Sequence, residues 1–360
     1  MSRASSGFAQ YVRARIYPCR KRGTTPALAA EVRSCAPARI ARASLAVVVA
    51  LLAGTGIATP QQQHREFLSL ATPAPVTGFV ISQSGAVAAA PCRDGVLRVW
   101  SLPDGKVTQA SNIKNRAVDV TAISEDGKFL AIGDHRGRVN VWNISTGAEI
   151  NAADLPHYPV AAAFSHDGAL VAFAPAAGEP VEFLDTPQHL GARRVPDTGD
   201  AVAIAFSRDN NFLAAANGDT SVRVHDIKAR QTSSASTELR NEALAIDFTA
   251  DGKQVIAAGG DKVIYFIDPA TGKTVRKFPK VADPIFALSV SPDGTLLCSV
   301  TLHADGMSLP APIIIWDLAS GAKKEEWTPP AGALGGGWTA DGHLVIATAT
   351  KDAIHLFHMN

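Results

Sequence analysis

The chain has 360 residues, of which 46% are hydrophobic and 19% are charged, so it can bury a sizeable core. Its formal net charge is +1, but residues 1–43 hold nine basic residues and one acidic residue, which leaves 25 basic and 32 acidic residues in the remainder. A mildly acidic remainder lacks the basic surface that nucleic acid requires, so nucleic acid is excluded as an expected partner.

The first predicted element is an apolar segment at residues 44–58, with the sequence SLAVVVALLAGTGIA. Basic residues precede it, and Gly56 and Ala58 are the small residues of a cleavage site after Ala58. This pattern is typical of a secretory signal peptide, and the segment is shorter than the roughly 20 residues that span a bilayer. We expect residues 1–58 to be a signal peptide with a basic extension, or alternatively a membrane anchor. The rest of the chain would be periplasmic or extracellular after cleavage, or anchored outside the cytoplasm.

Seven polar turns recur along the remainder at a nearly constant spacing. The second residues of successive turns are 42, 41, 42, 42, 42 and 48 residues apart. A fixed period of this size indicates stacked or radially arranged units, because one unit cannot bury its own apolar faces. The turns are Ser84-Gly85, Asp126-Gly127, Asp167-Gly168, Asp209-Asn210, Asp251-Gly252, Asp293-Gly294 and Asp341-Gly342.

Each repeat contains four short predicted strands, as residues 118–150 illustrate. Val118, Val120 and Ala122 alternate with other residues before the polar turn, and residues 129–132 form an apolar run typical of a strand buried on both faces. A third strand and a fourth strand follow, each after another turn. Four strands with tight turns form one blade of a propeller. Seven repeats therefore predict an all-β fold, a seven-bladed β-propeller of four-stranded antiparallel blades.

The repeats resemble WD repeats, and residues 65–360 together resemble a seven-bladed WD-repeat propeller of the bacterial, exported type. The family's dipeptide stands as Trp316-Asp317 and, altered, as Trp100-Ser101, Trp142-Asn143, His225-Asp226 and Ile267-Asp268. The family's turn aspartate matches Asp94, Asp219, Asp261 and Asp352. The resemblance implies a non-enzymatic scaffold that binds another protein or peptide, and we expect a monomeric propeller. The membrane would be contacted only through residues 44–58, if these are retained.

The ends of the chain are expected to meet in one blade. The last repeat stops after its third strand, and residues 65–70 precede the first blade. We expect residues 65–70 to complete the seventh blade, because closure of this kind hides an unpaired strand edge. The predicted blades are residues 76–109, 118–150, 160–192, 201–233, 243–275, 285–327 and 334–360.

Residues that often carry chemistry are scattered in the sequence. His355 and His358 are three positions apart on a strand, so their side chains point to opposite faces. His225 stands where other repeats have Trp and is expected to be a packed core histidine. Cys92 and Cys298 lie in different repeats and are expected to be two separate buried thiols. We expect no catalytic residue, no metal site and no cofactor.

An alternative is a secreted propeller enzyme, lactonase-like or quinoprotein-like, that uses loop residues on one face. Such an enzyme needs polar or metal-binding residues that converge at the axis. The positions expected nearest the axis are mostly small and apolar, which argues against this alternative: Val118, Val120, Ala161, Ala163, Val202, Ile204, Leu244, Ile246, Phe286 and Leu288.

Contacts with a partner are expected at blade starts and at turns between second and third strands, because loops on a rigid scaffold commonly carry binding. The 48-residue step lengthens one of these turns in the sixth repeat, where Leu302, Met307 and Leu309 are hypothetical exposed anchors. The full set of expected contact residues is Arg116, His135, Arg136, Asp200, Glu242, Asp283, Leu302, His303, Met307 and Leu309.

Overall fold

The computed structural model describes residues 66–359, apart from residues 103, 114–117, 187–191, 236–238, 304–308 and 351. The expected signal segment, Arg116 and Met307 therefore lie outside the described residues. Among the residues described, there is no helix of the length and apolar character needed to cross a membrane.

The described chain forms seven four-stranded antiparallel sheets, which confirms the predicted seven-bladed β-propeller. Blade 1 contains β2 (Val80–Ile81), β3 (Val87–Pro91), β4 (Val96–Ser101) and β5 (Val107–Asn112). Blade 2 contains β6 (Val118–Ile123), β7 (Phe129–Asp134), β8 (Arg138–Asn143) and β9 (Ala148–Asp154). Blade 3 contains β10 (Pro159–Phe164), β11 (Leu170–Pro175), β12 (Glu182–Asp185) and β13 (Arg193–Arg194).

The remaining four blades repeat the same strand order. Blade 4 contains β14 (Ala201–Phe206), β15 (Phe212–Asn217), β16 (Val222–Asp226) and β17 (Gln231–Ala235). Blade 5 contains β18 (Ala243–Phe248), β19 (Val255–Gly259), β20 (Ile264–Ile267) and β21 (Thr274–Lys277). Blade 6 contains β22 (Ile285–Val290), β23 (Leu296–Thr301), β24 (Ile313–Asp317) and β25 (Lys323–Trp327). Blade 7 contains β26 (Ala333–Trp338), β27 (Leu344–Ala349), β28 (Ala353–Met359) and β1 (Glu66–Ala71).

Blade 7 is built from both ends of the described chain. β1 lies antiparallel to β28, with Ser69 opposite His355 and Leu70 opposite Ile354. Leu70 is fully buried and packs in one cluster with Ile354 and Leu356. β1 thus forms the outermost strand of blade 7.

The first strand of each blade lines the axis, and neighbouring first strands pack closely. β10, for example, lies against both β6 and β14. Between blades 7 and 1 the approach is closer than a side chain permits, because a Cβ on Gly335 would stand 2.4 Å from the carbonyl oxygen of Phe79. Close backbone approach explains a glycine inside a strand. This contact accounts for part of the run Gly335-Gly336-Gly337.

The recurring polar turn follows each first strand and is held by its own side chains. In blade 2 the Ser124 hydroxyl donates to Asp126 Oδ1 at 2.8 Å, and the amide of Phe129 donates to Ser124 Oγ at 2.9 Å. Gly127 takes a φ of +72°, which is costly for residues with a Cβ. The turn carboxylate therefore serves the turn itself, which explains why the Asp-Gly pair recurs.

Aromatic positions of the third strands show how the repeats have diverged. Trp316 is buried, and its Nε1 donates to Ser299 Oγ at 2.8 Å. In blade 2 the register places Ile132 where Ser299 stands in blade 6, and the buried Trp142 Nε1 has no hydrogen-bond partner among the described residues. His225 is 3% exposed and bonds through Nδ1 to Thr232 at 2.9 Å, so the prediction of a core histidine is confirmed.

Candidate functional site

The propeller has two ends, and the strand order assigns different loops to each. We call the end that carries the links between blades and the turns between second and third strands the loop face. The opposite end carries the turns between first and second strands, and we call it the turn face. The assignment follows from the antiparallel pairing of each first strand with its second strand, as in Val118 opposite Asp134 and Ile123 opposite Leu130.

The described contact residues predicted from the sequence all lie on the loop face. His135 and Arg136 are exposed in the turn between β7 and β8. Backbone hydrogen bonds connect blade starts to the neighbouring turns, from Gly218 to the Asp200 carbonyl at 3.1 Å and from Gly260 to the Glu242 carbonyl at 3.2 Å. These residues therefore share one end of the propeller.

The loop face also corrects one expectation in blade 6. Leu302 is only 3% exposed, and its amide donates to the Pro284 carbonyl at 2.8 Å, next to Asp283. The hypothesis of an exposed anchor at Leu302 is therefore wrong, because this side chain is buried and its backbone bonds to the link that leads into blade 6. Leu309 is 40% exposed, and His303 is half-buried.

Asp119 gives the loop face an unusual carboxylate near the start of β6. Its Oδ2 is buried and has no hydrogen-bond partner among the described residues. Burial raises the pKa of Asp119 to about 6, although the nearby charge of His135 lowers it. Asp119 stands between Val118 and Val120 in the first strand and was not among the residues predicted from the sequence.

On the turn face, a cavity of about 230 Å³ opens on the axis and is walled by first strands and the turns that follow them. One part of its wall is polar, and this part comes from blades 1 to 6. The polar residues are Gln83, Glu125, His166, Arg208, Asp247 and Ser289. The apolar wall includes Ile81, Phe248, Val290 and Trp338.

Glu125 and His166 form the central pair of the polar wall. His166 Nδ1 lies 2.6 Å from Glu125 Oε1, and Nε2 lies 3.2 Å from the Phe206 carbonyl oxygen. Both neighbours are acceptors, so both ring nitrogens must donate, which requires the imidazolium form. Burial alone would lower the pKa of His166, but the bond to Glu125 outweighs it and the pKa is raised.

Asp247 lies deeper in the cavity, one residue before the end of β18. Its Oδ2 accepts from the amide of Val290 in blade 6 at 2.8 Å, and its Oδ1 accepts from the amide of Phe248 at 2.7 Å. Burial raises the pKa of Asp247 to about 6, while these amides and the charges of His166 and Arg208 act in the opposite direction. The carboxylate therefore changes charge near neutral pH.

Arg208 extends across the turn face from blade 4 to blade 6. One of its guanidinium nitrogens donates to the Ser291 carbonyl at 3.3 Å. The charges in the cavity balance, since Glu125 and Asp247 oppose His166 and Arg208. Within the described residues, no group of three or more His, Cys, Asp or Glu side chains could hold a metal ion.

This axial cluster was not predicted from the sequence, although the repeats contain a signal for it. In each blade a Ser or Thr, such as Ser124, begins the polar turn with its hydroxyl, which we call the turn hydroxyl. The residue after it is polar in blades 1 to 4 and small or apolar in the other three, where it is Ala250, Pro292 and Ala340. Asp247 stands two positions before its turn hydroxyl. The other blades have Val80, Ala122, Ala163, Ala205, Ser289 and Gly337 at that position.

Comparisons with known proteins agree with a propeller of this kind. The chain is 28% identical over 153 residues to the WD repeat-containing protein SL1-17 of Schistosoma mansoni, a match that covers 41% of this chain and 49% of that protein. The chain thus spans about half the length of that relative. Residues 93–360 match the family model described as outer membrane protein assembly factor BamB. Because this match covers more than half of the chain, the protein belongs to that family.

Proposed function

We propose that the protein is a non-enzymatic interaction scaffold that acts outside the cytoplasm and binds another protein through its loop face. The description of its family, an outer membrane protein assembly factor, supports both the scaffold role and an envelope location. The apolar segment at residues 44–58, which precedes the propeller, supports export as well.

The observation that carries this proposal is the loop face, which the links between blades and the turns between second and third strands form together. The exposed Arg136 and the half-buried Asp200, Glu242 and Asp283 lie at the same end of the propeller, in different blades. A rigid surface loses little conformational entropy when a partner binds, so a larger part of the contact free energy remains as affinity.

The axial cluster is the feature that would favour the alternative, a propeller enzyme. It brings two carboxylates and a histidine to the axis, where the sequence had indicated small apolar residues. However, both ring nitrogens of His166 are bonded, one to Glu125 and one to the Phe206 carbonyl. A histidine held in this way lacks a free nitrogen for a substrate proton, so we assign the cluster to binding.

The test is affinity capture from an envelope extract, with the wild type and two variants of blade 2. Arg136→Ala removes an exposed charge on the loop face, and Lys128→Ala removes one on the turn face. We expect one stoichiometric partner with the wild type and with Lys128→Ala, and a reduced yield with Arg136→Ala. Equal recovery with both variants, or no stoichiometric partner, would contradict the proposal.

The same preparation tests export. Mass spectrometry of the recovered protein is expected to give an amino terminus at Thr59, or an intact anchor in the membrane fraction. Recovery of the full chain from the cytosol would contradict an extracytoplasmic scaffold.

A further inference from the structure

The axial cavity on the turn face has a second property that the scaffold role does not require. Arg208 and Asp247 lie in the same cavity and influence each other electrostatically. Among the described residues, no charged atom of Arg208 lies within 4.0 Å of an Asp247 oxygen. The ion pair described in this cavity is the one between His166 and Glu125. Because both side chains line the same cavity, a guest inside it can reach the two opposite charges.

The polar atoms of both side chains have bonding capacity left. A guanidinium has five N–H donors, and Arg208 makes a single described hydrogen bond, at 3.3 Å to a neutral carbonyl. Each oxygen of Asp247 accepts one backbone amide, and a carboxylate has about four acceptor sites. A guest can therefore bind to both residues without displacing their present partners.

The cavity also sets the size and the charge of that guest. A volume of about 230 Å³ is smaller than the ~300–1,000 Å³ of typical drug-sized sites. The charges on the wall already balance, so a guest with a single charge would leave an excess charge in a partly desolvated space, which is unfavourable. A small guest with one positive and one negative group avoids that cost.

We propose that the axial cavity binds a zwitterionic α-amino acid with an apolar side chain. Its carboxylate would accept from the Arg208 guanidinium, and its ammonium would donate to Asp247. The apolar side chain would contact the wall formed by Trp338, Val290 and Ile81. This inference is independent of the loop face, because the cavity opens at the other end of the propeller.

Isothermal titration calorimetry on the purified full chain tests the proposal with matched probes. L-Leucine carries both charges, isopentylamine carries only the ammonium, and 4-methylpentanoate carries only the carboxylate. We expect saturable binding of L-leucine at one site, and binding of each single-charge probe weaker by about tenfold or more. Glycine should also bind more weakly, because it lacks the apolar side chain.

Three variants give an independent readout. Arg208→Gln and Asp247→Asn should each weaken L-leucine binding by about tenfold or more. Lys253→Gln is the control, because Lys253 is an exposed charge on the same turn face outside the cavity. Circular dichroism identifies any variant that fails to fold. If a variant fails, the comparison of L-leucine with the single-charge probes on the wild type decides whether the proposal holds.

Three results would overturn the proposal. The first is the absence of saturable heat with L-leucine up to about 10 mM, because a dissociation constant above that concentration corresponds to a negligible binding free energy. The second is equal affinity for L-leucine and the single-charge probes. The third is unchanged affinity for L-leucine in both folded cavity variants. Capture of a partner on the loop face could still succeed in each case, so failure here is distinguishable from failure of the proposed function.

Discussion

A chain that begins at Thr72 is expected to unfold at a temperature lower by about 10 °C or more than a chain that begins at Glu66. The shorter chain lacks β1, so β28 loses its antiparallel partner and Leu70 no longer fills the cluster with Ile354 and Leu356. Loss of one buried leucine side chain alone costs about 2–5 kcal/mol. Differential scanning calorimetry measures the difference directly.

Point variants within β1 separate strand pairing from side-chain burial. Leu70→Ala should lower the free energy of unfolding by about 2–5 kcal/mol, because Leu70 is fully buried. Phe67→Ala is the matched control, since Phe67 is 39% exposed and its ring centroid lies 3.8 Å from that of His358, with the rings tilted by 39°. Equal unfolding temperatures for the two chain lengths would mean that β1 does not close the ring.

The free energy of unfolding is expected to fall between about pH 5 and about pH 7.5. Asp119 and Asp247 have folded-state pKa values raised to about 6 by burial, from 3.8. A raised carboxyl pKa makes ionisation costly in the folded state, so stability is lost as the pH rises toward and through that value. His166 acts in the same direction, because stability from its raised pKa is lost as the imidazolium deprotonates.

Urea unfolding of Asp247→Asn at both pH values tests this account. The wild type should lose about 1 kcal/mol from Asp247 across this range, and the variant should lack that part of the slope. Absolute stability is a poorer readout, because an asparagine amide cannot accept from both Val290 and Phe248. Asp293→Asn is the control, since hydrogen bonds from Ser291 and Thr295 lower the Asp293 pKa to about 2 and place its effect below this range.

The same slope in Asp247→Asn and the wild type would show that this carboxyl does not titrate near neutral pH. His166 and Arg208 face Asp247 from blades 3 and 4, and their charges would then control its ionisation more strongly than burial does.

The architecture could be predicted from the sequence because the repeat period follows from local chemistry. A turn such as Ser124–Gly127 needs a hydroxyl, an aspartate and a glycine close together, so its recurrence is visible along the chain. Strand lengths were harder to predict. The innermost strand of blade 1 and the outermost strand of blade 3 have only two residues each, at Val80–Ile81 and Arg193–Arg194.

The axial cluster could not be predicted in the same way, because its members lie about one or more repeats apart. His166 and Glu125 are 41 positions apart in sequence, and the packing of blade 3 against blade 2 brings their side chains to 2.6 Å. The burial of Leu302 was missed for a related reason. Its amide bonds to the Pro284 carbonyl, and only the fold of blade 6 brings these two positions together.

The central claim is that a partner binds the loop face of a rigid, closed propeller, and site-specific photo-crosslinking in intact cells tests it most directly. A photoreactive amino acid would replace Arg136 or Leu309 on the loop face, and Lys128 or Lys253 on the turn face, all of which are exposed. We predict one crosslinked product of constant mass from the loop-face positions and none from the turn-face positions. Crosslinks that arise only from Lys128 and Lys253 would contradict the account.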